Sequence, residues 1–199
     1  MIFFNSRTKE NKFWDWFTKK SNIYFKFEED RENLFDELKS KLNKINQDLT
    51  FEFGPVRDNK REFVISADGI KGSFPDVIKV VNAAPNLPNF KIIAFRQPHL
   101  DFTKINYKDI QLDFKDVFFR YGKNNGKLDI ELNIRDYQDN IDWATAAFLL
   151  LDNILGEYDT EMFINGIDRK QLIEYELNSL LPISDLSKIL LDYKLEFQN

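Results

Sequence analysis

Asp116-Val117-Phe118-Phe119-Arg120-Tyr121-Gly122, then Lys123-Asn124-Asn125-Gly126, then Lys127-Leu128-Asp129-Ile130-Glu131-Leu132-Asn133-Ile134-Arg135, is the stretch whose reading decides the fold. In its second half Leu128, Ile130, Leu132 and Ile134 alternate with charged or amide side chains. That two-residue period is the signature of a strand with one face buried. The Asn-Gly pair before it favours a tight hairpin turn. Two antiparallel strands are therefore expected here.

The same order recurs upstream. Thr50-Phe51-Glu52-Phe53-Gly54 reads as a strand, Arg57-Asp58-Asn59-Lys60 as a turn, and Arg61-Glu62-Phe63-Val64-Ile65-Ser66-Ala67 as a second strand. Each hairpin is followed by a helix and a third strand. In the first copy Ser73 is placed to N-cap a helix with Pro75 in its first turn, over Asp76 to Ala84, before a strand at Phe90 to Phe95. In the second, Asn140 caps a helix over Ile141 to Leu155, Gly156 ends it, and Tyr158 to Ile164 alternates as a strand. The expected fold is α+β: a predominantly antiparallel sheet from two β-β-α-β units, with helices packed mainly on one face and helical N- and C-terminal extensions. In a single domain over 1–199, helices fill 1–48, the two units span 49–97 and 116–167, and further helices fill 168–199.

In the flanks, Phe13, Trp14, Trp16 and Phe17 crowd a helix that is expected to dock on the protein's own body rather than on a membrane surface. Glu29 to Ile45 carries an apolar stripe of Phe35, Leu38, Leu42 and Ile45. Asp168 is placed to cap a helix bearing Leu172, Ile173, Leu177, Leu180 and Leu181, and Ser184 to cap another bearing Leu186, Ile189, Leu190 and Tyr193. Those helices cover the sheet or mediate a homodimer. Pro98 to Lys115 links the copies, with Asp109 to Phe114 as a possible extra strand.

Composition narrows the function. The net charge is −5, with acids and bases interspersed, which argues against a dedicated nucleic-acid binder. No cysteine is present, so disulfides and thiolate chemistry are excluded, and no apolar run approaches a membrane span. Met1-Ile2-Phe3-Phe4 lacks the features of a secretory signal, and a cytoplasmic protein is expected. Neither the dinucleotide-binding glycine pattern nor a P-loop occurs, and the single histidine, His99, excludes histidine-rich metal sites. No cofactor or metal is expected.

The candidate site residues are few. His99 could act as a base oriented by Asp101, with Arg96 binding an anion and Asp68 as a further carboxylate. Each also has a plainer explanation: Asp68-Gly69 suits a turn, and His99 follows a proline. Glu157, Asp159 and Glu161 would form a same-face row if Tyr158 to Ile164 is a strand, able to meet a cation or a basic partner. The two copies diverge at their strand ends, Asp68-Gly69 against Arg135-Asp136, and Arg96-Gln97-Pro98-His99 against Asn165-Gly166-Ile167-Asp168. A specialised site is most reasonably sought there.

Phe13-Trp14-Asp15-Trp16-Phe17, Leu49-Thr50-Phe51-Glu52-Phe53, Arg61 to Ile70, and Gly156-Glu157-Tyr158-Asp159 together resemble a group of small uncharacterised bacterial proteins. The resemblance implies a bacterial, cytosolic source and carries no activity with it. The expected function is non-catalytic protein binding or regulation, of which an immunity-type protein is one version. The partner would be another protein, met through the uncovered sheet face or an acidic surface. The alternative is a small enzyme acting on an anionic molecule through carboxylates with Arg96 and His99.

Overall fold

The computed structural model describes residues 7–99 and 103–196. The chain divides into two compact units, Met1–Arg96 and Gln97–Asn199.

The first unit runs α1 (Lys9–Phe25), α2 (Arg31–Leu42), β1 (Thr50–Arg57), β2 (Lys60–Ser66), α3 (Phe74–Asn82) and β3 (Phe90–Ala94). Thr8 caps α1 by accepting the Asn11 N–H at 3.2 Å. At the turn between β1 and β2, Asp58 and Asn59 both take positive φ, 49° and 58°. Asn and Asp tolerate this conformation, and it matches the twist of a two-residue hairpin. β2 is the central strand, antiparallel to β1 and parallel to β3.

Phe51, Phe53, Phe63, Ile65, Phe90 and Ile92 point to one face and meet Phe13, Trp14 and Phe17 of α1. The aromatic helix is thus docked on its own unit. Its Trp14 indole N–H donates to the Val80 carbonyl of α3 at 2.7 Å, so burying that polar edge leaves no lost hydrogen bond. Ser73 occupies the N-cap position of α3 but does not cap it. Its hydroxyl donates to Asp48 Oδ2 at 2.7 Å, and Asn46 Nδ2 bridges Ser73 and Asp76.

Tyr24 is buried, its hydroxyl within hydrogen-bond reach of the Leu34 carbonyl and of Glu37 Oε2. Burial, then the negative charge of Glu37, push this phenol well above its ordinary value. A folded-state value above the unfolded one gives stability that is present below about pH 10 and is lost as pH rises past it. Stability measured by urea should therefore fall more steeply above pH 10 in the wild type than in Tyr24→Phe, which at neutral pH should cost about 1 kcal/mol. Parallel alkaline profiles for the two proteins would refute this.

The second unit opens with a hairpin, β4 (Lys104–Tyr107) and β5 (Ile110–Asp113), where a linker with one extra strand was expected. It continues with β6 (Val117–Asn124), β7 (Lys127–Ile134), α4 (Ile141–Leu155), α5 (Glu157–Phe163), β8 (Ile164–Gln171), β9 (Leu181–Pro182) and α6 (Leu186–Glu196). The sheet order is β8-β7-β6-β9, with β6 antiparallel to β7 and β8 parallel to it. Leu128, Ile130, Leu132 and Ile134 all face the core, where α4 and α6 contribute Leu150, Leu151, Leu186 and Leu190.

Three expectations need correction. The sheets are mixed and not predominantly antiparallel, because β3 and β8 each return parallel to the central strand. The stretch read as a strand, Tyr158 to Ile164, is mostly the helix α5. Its buried residues are Glu157 and Thr160, a spacing of three that follows the helical period; of the alternating Tyr158, Thr160 and Met162, only Thr160 is buried. Finally, Asp168 caps no helix. It lies inside β8, in register with Glu131, and the segment after it forms only a 3₁₀ turn at Glu174–Ser179. The charged run Asp168-Arg169-Lys170 sits on a sheet edge, where charges discourage unwanted strand pairing.

Gly156 ends α4 as expected, but with φ 81° and ψ 157°, and the chain re-enters a helix at once. That conformation is essentially reserved for glycine and is not the usual left-handed helix stop.

Candidate functional site

The structure brings together two of the sequence-predicted residues. Asp68 takes positive φ in the turn after β2, and its Oδ1 accepts from Arg96 Nη1 at 2.6 Å and from Thr50 Oγ1 at 3.2 Å. Arg96 also donates to Ser66 Oγ at 3.1 Å, and Glu52 Oε1 lies 3.7 Å away. Two carboxylates thus face one guanidinium. The cluster ties the ends of β1, β2 and β3 together and leaves Arg96 poorly suited to bind an anion. His99 belongs to the second unit, where its backbone N–H donates to the Asn153 carbonyl at 2.8 Å. Asp101 lies outside the described residues.

The expected row of Glu157, Asp159 and Glu161 is dissolved by the helix. Residues two apart on a helix point about 200° away from each other, so Asp159 leaves the side shared by Glu157 and Glu161. Glu157 is buried at the start of α5, where a carboxylate suits the positive end of the helix. Asp159 holds Lys194 of α6 with both oxygens at 2.8 Å. No group of three or more metal-ligating side chains is found among the described residues.

The most organised polar surface is the outward face of the second sheet. Side chains alternate along β7, so Asp129, Glu131 and Asn133 face away from the core that holds Leu128, Ile130 and Leu132. Register then places neighbours beside them. Gly122 of β6 and Gly166 of β8 flank Asp129, and Arg120 and Asp168 flank Glu131. With no side chain on either glycine, a groove of about 360 Å³ crosses the sheet, lined by Arg120, Gly122, Asp129, Glu131, Gly166 and Asp168 among others.

Asp129 is fixed at the groove's centre. Asn165 Nδ2 donates to Oδ1 and Asn124 Nδ2 to Oδ2, each at 2.8 Å. These two amides, with the Gly166 backbone N–H, hold its carboxyl below the usual carboxylate range. A Cβ at Gly166 would sit 3.2 Å from Asp129 Oδ1, so that glycine lets the two strands carry the carboxylate between them. At Gly122 a Cβ would meet nothing within 4 Å. Packing does not require this glycine, and its effect is to leave the groove open. Replacing Gly122 by valine should therefore stabilise the fold by about 0.5–1 kcal/mol, since glycine weakens a strand and β-branched residues suit one. A lower thermal midpoint for Gly122→Val would contradict the placement of this residue.

The next rank up the sheet is charged and internally paired. Glu131 accepts from Lys170 Nζ at 3.0 Å and lies 3.6 Å from Arg120. Arg120 also bonds to Glu176 and to Ser179 Oγ, which tether the 3₁₀ segment above it. Beneath that segment Asn133 is fully buried and donates to Glu131 Oε1 at 3.0 Å. One end of the face is therefore closed by the chain itself, and the end at Asp129 is open. Alternation on β7 marked Asp129 as outward-facing. The pairing of the two glycines around it depends on long-range register, which local sequence does not encode.

No protein-family model matches the chain, and no curated protein or solved structure shows a significant similarity to it.

Proposed function

We propose that this chain is a non-catalytic binding protein of the bacterial cytoplasm, and that it meets another protein through the outward face of its second sheet. The observation that carries the reading is the open groove at Asp129, where two glycines in register bare a fixed carboxylate. Nothing in it resembles a reaction centre. No nucleophile with an adjacent base lines it. The acidic balance of the chain suits a basic partner, as an immunity-type protein would require. Each unit runs strand, strand, helical segment, strand, with one helix in the first and two in the second, which supports a repeated architecture whose second copy carries the groove.

The enzyme reading needs Arg96 to receive an anion, and the pairing of Arg96 with Asp68 works against it. A photoreactive residue in place of Asp168, which lines the groove on the same face as Asp129 and is exposed, tests the binding reading in the source cells. A discrete cross-linked protein is expected from that position and not from Tyr175, the most exposed tyrosine of the same unit. Identical products from both positions, or none from position 168, would count against it.

A further inference from the structure

We propose that the groove on the second sheet receives a lysine or arginine side chain of the protein partner, which enters between Gly122 and Gly166 and pairs with Asp129. This rests on the binding reading above and gives it a chemistry. The charges of the face identify the occupant. Asp129, Glu131, Asp168 and Glu176 carry four negative charges, against three positive ones on Arg120, Lys170 and Lys127. Arg120 is matched by Glu176, and Lys170 by Glu131. Asp129 and Asp168 remain without an ion pair on the described surface.

Asp129 differs in the kind of partner it has from the carboxylates of the unit that are held in ion pairs. Asp159, Glu131, Asp116 and Asp142 each face a lysine or arginine. Asp129 is oriented only by neutral donors, two side-chain amides and one backbone N–H. Such donors fix a carboxylate in place without cancelling its charge. Lys127, two residues earlier on the same face, does not line the groove and makes no ion pair with Asp129. An extended cation fits the shape as well as the charge, because the missing side chains at Gly122 and Gly166 leave a channel rather than a bowl. A lysine or arginine stem has apolar length to lie along the exposed strand backbone and a charged end to reach the carboxylate.

The test is an amide-resolved NMR titration of the full chain with the blocked peptide acetyl-Thr-Arg-Thr-amide, using acetyl-Thr-Gln-Thr-amide as the uncharged control. The arginine peptide should shift the backbone signals of Gly122, Asp129 and Gly166 and the side-chain amides of Asn124 and Asn165; the control should not. Asp129→Asn should weaken that response about tenfold, the loss of one charge-assisted contact. Gly122→Val should abolish it by filling the channel, and this variant carries no folding penalty that would confuse the result. Shifts spread equally over Asp109, Asp113 and Asp142, or a response unchanged in both variants, would overturn the assignment. If position 168 still cross-links a protein in that case, only the basic side chain is refuted and the binding face stands.

Discussion

Phe17→Ala should destabilise the first unit by about 3–5 kcal/mol. Phe17 is fully buried, and its ring is the hub of the aromatic core. It stacks on Phe63 at 4.8 Å and on Tyr24 at 5.2 Å, and meets Phe90 and Trp14 edge-on at 5.4 and 5.7 Å. Those partners come from α1, β2 and β3. Truncation would leave a cavity that rigid rings on three elements cannot collapse to fill, and cost rises with residual cavity volume. Aromatic pairs add to this beyond their buried area. Trp14 and Trp16 report on this unit and Trp143 on the other. In a Trp143→Phe background, urea unfolding followed by fluorescence should show the loss directly. A change below about 1 kcal/mol would mean that the ring is not packed as described.

Gly156→Ala should cost about 1–3 kcal/mol, the strain of forcing a side chain into a backbone region essentially restricted to glycine. The effect falls on the second unit, because Gly156 joins α4 to α5 and its N–H donates to the Asp152 carbonyl at 2.8 Å. A shifted backbone would pull on the buried Glu157 and Thr160 that follow it. Asparagine separates this from an ordinary left-handed turn. At Gly126, in the hairpin between β6 and β7 with φ 79°, asparagine should be tolerated at about 0.5 kcal/mol, as it often is in such turns. At Gly156 it should cost as much as alanine. Equal, small losses for both asparagine variants in urea unfolding would contradict the conformation given for Gly156.

The sequence made some of this legible. Strict alternation over Leu128 to Ile134 identified β7 and its buried face, because one side chain in two meets the core. Asn140 was readable as a cap for α4, since its side chain accepts from both Asp142 and Trp143 backbone N–H groups. The aromatic crowd in α1 pointed to a docked helix, and Phe13, Trp14 and Phe17 are all buried. What failed was decided at long range. The third strands lie parallel because of where their connecting helices return them, and no local period reports strand direction. α5 imitated a strand because a seven-residue helix shows too few turns for its period to stand out from alternation.

The candidate site was half visible for the same reason. Asn165-Gly166-Ile167-Asp168 stood out as a divergent strand end, and Asn165, Gly166 and Asp168 all border Asp129 or its groove. The facing glycine, Gly122, read as nothing more than the end of a strand. Only the register of β6 on β7 puts it opposite Asp129. The other candidates, Arg96 and Asp68, meet through an ion pair, but its role follows from Glu52 and Ser66 joining it.

Stability and binding should move in opposite directions at one position. The decisive measurement compares wild type with Gly122→Val for thermal midpoint and for yield of the protein cross-linked from position 168. The binding face predicts a midpoint that is equal or higher and a cross-link that is lost, because the valine strengthens the strand and closes the groove. A valine variant that folds equally well and captures the same protein at wild-type yield would contradict it.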